Sequence, residues 1–271
     1  MMRRRILGWS ASVAGRIVKR LSQYIRGVRV AVMSDIHGNL PALEAVLEEV
    51  ARESPNLIVV CGDVASGPLP VESLDLLMDL RDARYLHGNA DRSLVAAYDG
   101  AAKPELPGPA ADWAAAQLTR THRDFLASFP DRVRLQIDGL GRVLFCHGSP
   151  RSDLEIMTAA TTPERLIELI QGADADVVVC GHTHMQFDRT EGGVRVINPG
   201  SVGMPYGETG AHWAMLGPDV AFRRTRFDLE AASRRIRQSS WPGAEEFARG
   251  NVLSAPSVEE AMDFFSRHGG P

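Results

Sequence analysis

Seven side chains of metal-ligand type stand at the ends of five short apolar runs. They are Asp35 and His37, then Asp63, Asn89, His147, and last His182 and His184. Carboxylate, amide and imidazole donors together suit first-row divalent ions better than calcium or a thiolate-bound zinc. Seven donors are too many for one ion that must keep an open position. They match two ions sharing a bridging carboxylate, an arrangement used to cleave phosphate esters.

The elements that must deliver these groups follow from the pattern. Val28-Arg29-Val30-Ala31-Val32 reads as a strand, with Asp35 and His37 just beyond it. Two residues apart in an extended chain, both side chains would point the same way, so one ion can take both. Asn39 as N-cap and Pro41 in the first turn open a helix with Leu40, Leu43, Val46, Leu47 and Val50 at helical spacing. The run Leu57-Ile58-Val59-Val60-Cys61 is apolar on both faces, as in a parallel or mixed sheet covered by helices. Tyr85-Leu86, Val143-Leu144-Phe145-Cys146 and Val177-Val178-Val179-Cys180 are further strands, each stopping at a ligand block. Sites in such sheets lie outside the carboxyl ends of the strands. Gly192-Gly193 predicts a hairpin turn between Gln186–Thr190 and Val194–Ile197. Gly217-Pro218-Asp219 predicts another between Trp213–Leu216 and Val220–Phe227, and both hairpins are expected to complete a second sheet. Helices are expected from Trp113 to Ser128, within Ser152–Gln171, from Leu229 to Ser239, and after a capping box at Ser257–Glu260.

Five blocks in this order carry a resemblance. Ser34-Asp35-Ile36-His37-Gly38-Asn39, Gly62-Asp63, Gly88-Asn89-Ala90-Asp91, His147-Gly148 and Gly181-His182-Thr183-His184 resemble the calcineurin-like metallophosphoesterases, across roughly residues 28 to 228. With Asn198-Pro199-Gly200-Ser201 they look like the small bacterial and archaeal branch of predicted phosphoesterases related to diadenosine tetraphosphatases. The resemblance implies an α/β fold, a four-layer α/β/β/α sandwich of two mixed sheets between helices. It implies two divalent ions, manganese first, with iron, zinc, nickel or cobalt as the other candidates. The first would take Asp35, His37, Asp63 and His184; the second would take Asp63, Asn89, His147 and His182. Asp63 would bridge, and a water or hydroxide between the ions would attack phosphorus. Asp63, Asn89, His147 and Asp91 would carry the catalytic roles. Two divalent ions outweigh the two carboxylates and leave a cationic site that attracts phosphate.

One position departs from the family pattern. Many relatives carry His directly after the Asn, and this chain has Ala90. Alanine donates no proton, so hydrolysis of a phosphodiester or a nucleotide-type phosphoanhydride is expected over efficient monoester hydrolysis. His87 is a conceivable stand-in acid, although sequence proximity is poor evidence of reach. Asp91 is expected to hold a water or a neighbouring histidine. A metal-binding scaffold without efficient catalysis is the reading from another class, and a single-strand nuclease is a third. His122, His212 and His268 are not expected to be ligands.

Composition bounds the rest. With 271 residues, 44% hydrophobic and 24% charged, the chain has the make-up of one ordinary domain with appendages. The reading is a basic amphipathic arm over 1–27, expected to be disordered or absent from the true protein, a catalytic domain over 28–228 and a helical extension over 229–271 packed on that domain. The arm holds seven basic residues and no acid, against −4 for the whole chain, so residues 28–271 carry −11. An acidic body argues against a groove for duplex nucleic acid. A small phosphate-ester substrate such as a nucleotide fits better. The arm has Val13, Ile17, Leu21, Tyr24 and Ile25 on one helical face, so it is the one place for membrane contact. Truncation to Val28 is expected to leave activity intact. Cys61, Cys146 and Cys180 end apolar strands; an odd count without a disulfide framework fits a reducing, cytoplasmic setting. Residues 98 to 112 read as a Pro/Gly/Ala loop that is either a lid or a connector. Arg151 stands where it could meet a substrate phosphate. Phe264 and Phe265 are placed to dock the last helix on the body or on a second copy of the chain.

Overall fold

Alternation of buried side chains along the strands sets the layers. In β1 (Val30–Met33), Val30 and Val32 enter one core while Ala31 and Met33 enter another. In β2 (Leu57–Val60) the same split separates Val59 from Ile58 and Val60. Successive strand residues point to opposite faces, so an all-apolar strand must be covered on both sides. In this computed structural model, which describes residues 27–101 and 109–268, it is. Residues 1–26 of the basic arm and 102–108 of the 98–112 stretch lie outside the described residues.

The first sheet has the order β10-β9-β1-β2-β3, with β3 (Ala83–Tyr85) parallel to β2, β9 (Ala211–Leu216) antiparallel to β1, and β10 (Val220–Thr225) antiparallel to β9. The second has the order β4-β5-β6-β8-β7. There β5 (Gly141–Phe145), β6 (Val177–Val179) and β8 (Val194–Pro199) run parallel, with β4 (Val133–Ile137) and β7 (Gln186–Glu191) antiparallel at the edges. Between the sheets, Val30, Val32 and Val59 meet Val143, Phe145, Val177, Val179 and Ile197. Behind the first sheet, α1 (Leu40–Glu53), α2 (Pro70–Met78), α3 (Asn89–Tyr98) and α4 (Pro109–Gln117) bury Leu43, Val46, Leu74, Leu94 and Ala114. Behind the second, α6 (Pro163–Ile170) seats Leu166, Leu169 and Ile170 on Leu144, Val178 and Val196. The result is the expected sandwich of two mixed sheets between helices.

Two expectations need correction. The Gly217–Asp219 hairpin joins the first sheet, because β9 pairs with β1; only the Gly192-Gly193 hairpin completes the second. The helix expected over 113–128 is two. α4 ends at Gln117, and α5 (Arg120–Ala127) starts afresh at Thr119, whose hydroxyl accepts from the His122 N–H. The His122 ring returns the bond by accepting from the Thr119 N–H, and its Nε2 lies 2.9 Å from Asp75 on α2. A reciprocal cap of this kind satisfies two amides that a continuous helix would not have exposed.

The extension packs on the body. α7 (Leu229–Arg237), α8 (Ala244–Phe247) and the π-helical turn Ala248–Leu253 bury Ile236, Phe247 and Val252 with Leu40 and Leu69. α9 (Val258–His268) is opened by the expected capping box, with Ser257 and Glu260 bonded reciprocally. Phe265 docks with Met185 and Ala261, and Phe264 is half exposed. Among the described residues no helix is long and apolar enough to cross a membrane. The three cysteines are free and buried, Cys61 between the sheets and Cys146 and Cys180 against α6. Burial pushes all three thiols up, so none is a ready thiolate.

Candidate metal centre

The ligand blocks follow the ends of β1, β2, β5 and β6 and open α3, so one edge of the sandwich gathers all seven donors. Asp35, His37 and His184 form one group and Asp63, His147 and His182 a second, each with its donor atoms within 4.8 Å of one another. Asn89, first residue of α3, joins the second group: its Oδ1 lies 3.2 Å from His147 Nε2. Carboxylate oxygens reach across the two groups. Asp63 Oδ2 is 3.4 Å from His147 Nε2 and 3.8 Å from His37 Nε2.

The backbone that achieves this is not extended. Asp35, His37, Asp63, His182 and His184 all have positive φ, between 48° and 65°. Asp35 and His37 converge because both residues turn through the left-handed region, rather than by strand alternation. Asp and His enter that region more readily than bulkier residues, at a cost of order 1 kcal/mol each. Neighbouring chain must come very close. A Cβ on Gly88 would stand 2.1 Å from Asp63 Oδ1, and one on Gly181 would stand 2.1 Å from Ser34 Oγ, so both positions need glycine. The 198–201 loop ties the blocks together. Asn198 Nδ2 donates to the Gly181 carbonyl and to Thr183 Oγ1, and Ser201 Oγ donates to the Asp35 carbonyl.

Hydrogen bonds turn the imidazoles inward. His147 Nδ1 donates to the Cys61 carbonyl at 2.7 Å and His184 Nδ1 to the Met204 carbonyl at 2.9 Å, an assignment that follows from their acceptors. Both Nε2 atoms are thereby aimed into the site, toward Asp63 and Asp35. His184 Nε2 faces His37 Nε2 at 3.2 Å. Two nitrogens sharing an ion at about 2.1 Å sit roughly 3 to 3.4 Å apart in octahedral or tetrahedral geometry. Asp35 is fully buried, and its Oδ1 receives no hydrogen bond; the His184, His147 and His37 Nε2 atoms lie 3.3, 3.9 and 4.0 Å from it. A buried carboxylate oxygen left bare is costly unless a cation meets it. The donor set therefore fits divalent metal.

The titration behaviour says the same. Burial disfavours charge on His147, yet Asp63 and Asp35 prevail and push its pKa up to about 10. Burial and the neighbouring His147 charge pull His182 down to about 4. Burial opposes ionisation of Asp63 too, but His147 and His37 hold its carboxyl well below the usual range. Positive charge is what this pocket draws in.

Asp91 is the residue whose role the structure redraws. Its bonds go to the backbone: Oδ2 accepts from the Asp63 and Gly88 N–H groups and Oδ1 from the Val64 N–H. It reaches no histidine. Burial and then the Asp63 charge push its pKa up to about 7, against the pull of the three amide donors. Asp91 thus clamps the Asp63 loop to the start of α3, where the Ala90 N–H donates to Asp63 Oδ1 at 2.8 Å. The Ala90 side chain is itself buried. His87 has Asp131 2.7 Å from Nε2 and Asp153 3.6 Å from Nδ1. His122 and His212 lie in neither ligand group. Tyr206, which the sequence did not single out, brings its ring within 5.8 Å of the His184 ring, and Phe265 of α9 lies 6.1 Å beyond. No local signal marks such a pair, since it arises from packing of the C-terminal helix.

A sandwich of this topology with these donors at one edge is the architecture of a metal-dependent phosphoesterase. The calcineurin-like phosphoesterase superfamily domain matches residues 28–219, and the chain belongs to that superfamily. It is 29% identical to phosphodiesterase YfcE of Escherichia coli over 204 residues, 71% of this chain and 89% of that one. It is 27% identical to an uncharacterized protein of Methanocaldococcus jannaschii over 241 residues, 80% of this chain and 97% of that one. Among solved structures, a metallophosphoesterase from Sphaerobacter thermophilus superposes with a TM-score of 0.68 at 27% identity, covering 84% of this chain and 99% of that one.

Proposed function

We propose that the chain hydrolyses a phosphodiester or a nucleotide-type phosphoanhydride at a centre of two divalent ions. The position of Asp63 Oδ2 between the two ligand groups carries this reading, because a shared carboxylate is what makes two neighbouring ions one site. Asp35, His37, Asp63 and His184 would hold the first ion, and Asp63, Asn89, His147 and His182 the second. When bound, the pair would neutralise phosphate charge and lower the pKa of a shared water toward neutrality, supplying the nucleophile. Manganese is the ion to test first, given oxygen and imidazole donors. The protein's own part is orientation: the Cys61 and Met204 carbonyls fix two imidazoles, and Asp91 and the Ala90 N–H fix Asp63. Ala90 puts no proton donor beside Asn89, which supports diester or anhydride over monoester substrates. The name of the E. coli relative points the same way.

The test is turnover of bis-p-nitrophenyl phosphate beside p-nitrophenyl phosphate, on chelated protein reloaded with manganese. Metal-dependent diester turnover that exceeds monoester turnover is the expected outcome. No turnover of either, with about two ions bound per chain, would point to a scaffold or a highly selective enzyme.

A further inference from the structure

A cleft of about 460 Å³ opens directly beside His147. Its wall includes Arg92, Arg132 and Arg151, with Asp131 and Asp153 between them. Three guanidinium groups against two carboxylates make its formal charge +1 before His87 is counted, on a body that carries −11. A cationic recess on an acidic surface calls for an anion.

The partners of each arginine say where that anion goes. Arg92 is held on Asp153 by two bonds, at 2.5 and 2.8 Å. Arg151 is held on Glu155 at 2.7 Å. These pairs brace the loop that follows His147, as does the Ser149 hydroxyl, which accepts from the Arg151 and Ser152 N–H groups. Arg132 differs. Its one bond is from Nη1 to the Pro150 carbonyl at 3.0 Å, and among the described residues it is the cleft arginine that meets no carboxylate. A guanidinium has five N–H donors in a planar fork, so four remain for a ligand, and the fork suits phosphate oxygens. The backbone bond holds the head in place without neutralising it.

Building on the proposed hydrolysis, we infer that this cleft is a subsite for a second phosphate, linked to the one at the metals, with Arg132 its principal ligand. His147 lines both compartments, so the two phosphates of a diphosphate group can occupy them together. The substrate class that the cleft favours is accordingly nucleoside di- or polyphosphates and their esters, while one-phosphate diesters are turned over at the metals without its help. Arg132 sets specificity and touches no metal ligand. At 460 Å³ the cleft falls within the usual size of small-molecule sites, so it admits a phosphate with part of its nucleoside.

The experiment is calorimetric binding of ADP and AMP to the manganese-loaded protein, wild type beside Arg132→Gln and Arg132→Lys, with metal content checked after each titration. Both nucleotides carry the same nucleoside, so their difference reports the added phosphate. ADP should bind wild type at least about tenfold more tightly than AMP, the range of a hydrogen bond to a charged group. Arg132→Gln should erase most of that advantage and move AMP affinity less than about twofold, while Arg132→Lys restores part of it. Equal affinity for the two nucleotides in wild type, equal weakening of both by Arg132→Gln, or no change in either would each overturn the subsite. If wild type fails to hydrolyse the diester yet the ADP advantage still depends on Arg132, the subsite stands and the diester reading falls alone.

Discussion

The two ligand groups are made of the same residue types and stand in different surroundings. Asp35, His37 and His184 are backed by the Met204 carbonyl, the Tyr206 ring and, behind it, Phe265 of the C-terminal helix. Asp63, His147 and Asn89 are backed by the Cys61 carbonyl and border the arginine-lined cleft. The first group holds a fully buried carboxylate with a bare oxygen, Asp35 Oδ1; in the second, Asp63 Oδ1 accepts from the Ala90 N–H and Asp91 clamps the Asp63 loop. On the two-ion reading proposed above, the first half would keep its ion and the second would present one to a substrate.

Asp63 belongs to both halves, so its loss should hurt most. Asp63→Asn is expected to lower diester turnover by at least about 10³-fold, since the ions supply several kcal/mol of transition-state stabilisation, and to reduce the ions found per chain by elemental analysis. Asp91→Asn tests whether the halves are separable. It puts an amide NH₂ against backbone N–H donors, and should weaken the second ion's binding by about 10- to 100-fold while sparing the first. A manganese titration that shows both steps weakened alike would break the distinction.

Removing metal sharpens it. Chelation should lower the melting temperature by about 5 °C or more, as expected for loss of a ligand present well above its Kd. Asp35→Asn should abolish the larger share of that metal-dependent rise, because its bare oxygen is what an ion relieves. The smallest effect lies on the cleft side. Burial works against charge on Asp153, yet His87 and Arg92 hold its pKa at about 2. Its unfolded value is about 3.9, so the stabilisation is complete above about pH 4 and is lost as pH falls toward 2. Asp153→Asn should therefore cost at most about 2 kcal/mol near neutrality, discounted for partial exposure, and less in acid, as read by urea unfolding across that range.

Much of this was legible in the chain because it was local. Asn39 caps α1 as its type and position suggest, accepting from the Ala42 N–H. The turn at Gly192-Gly193 and the box at Ser257–Glu260 also follow from short-range chemistry. All seven donors that the structure gathers at one edge could be named from strand ends. The manner of their convergence could not, because side chains two apart suggest an extended chain and give no hint of left-handed φ at both. The helix break at Thr119 was hidden because His122 reads as an ordinary helical residue until its ring is seen capping. Asp91 looked like the holder of a water or a neighbouring histidine, since nothing in a sequence shows three amides pointing at one carboxylate. Arg132 and Tyr206 matter through neighbours far along the chain, where no periodicity reaches.

The left-handed backbone at five ligand positions has a thermodynamic side. Each costs of order 1 kcal/mol, and together the ligands crowd two carboxylates and four imidazoles into a buried space. Without metal, that edge of the sandwich is the least comfortable part of the fold. Glycine at one of these positions would relieve the backbone strain and remove a donor at once, so strain and donor set are written into the same residues.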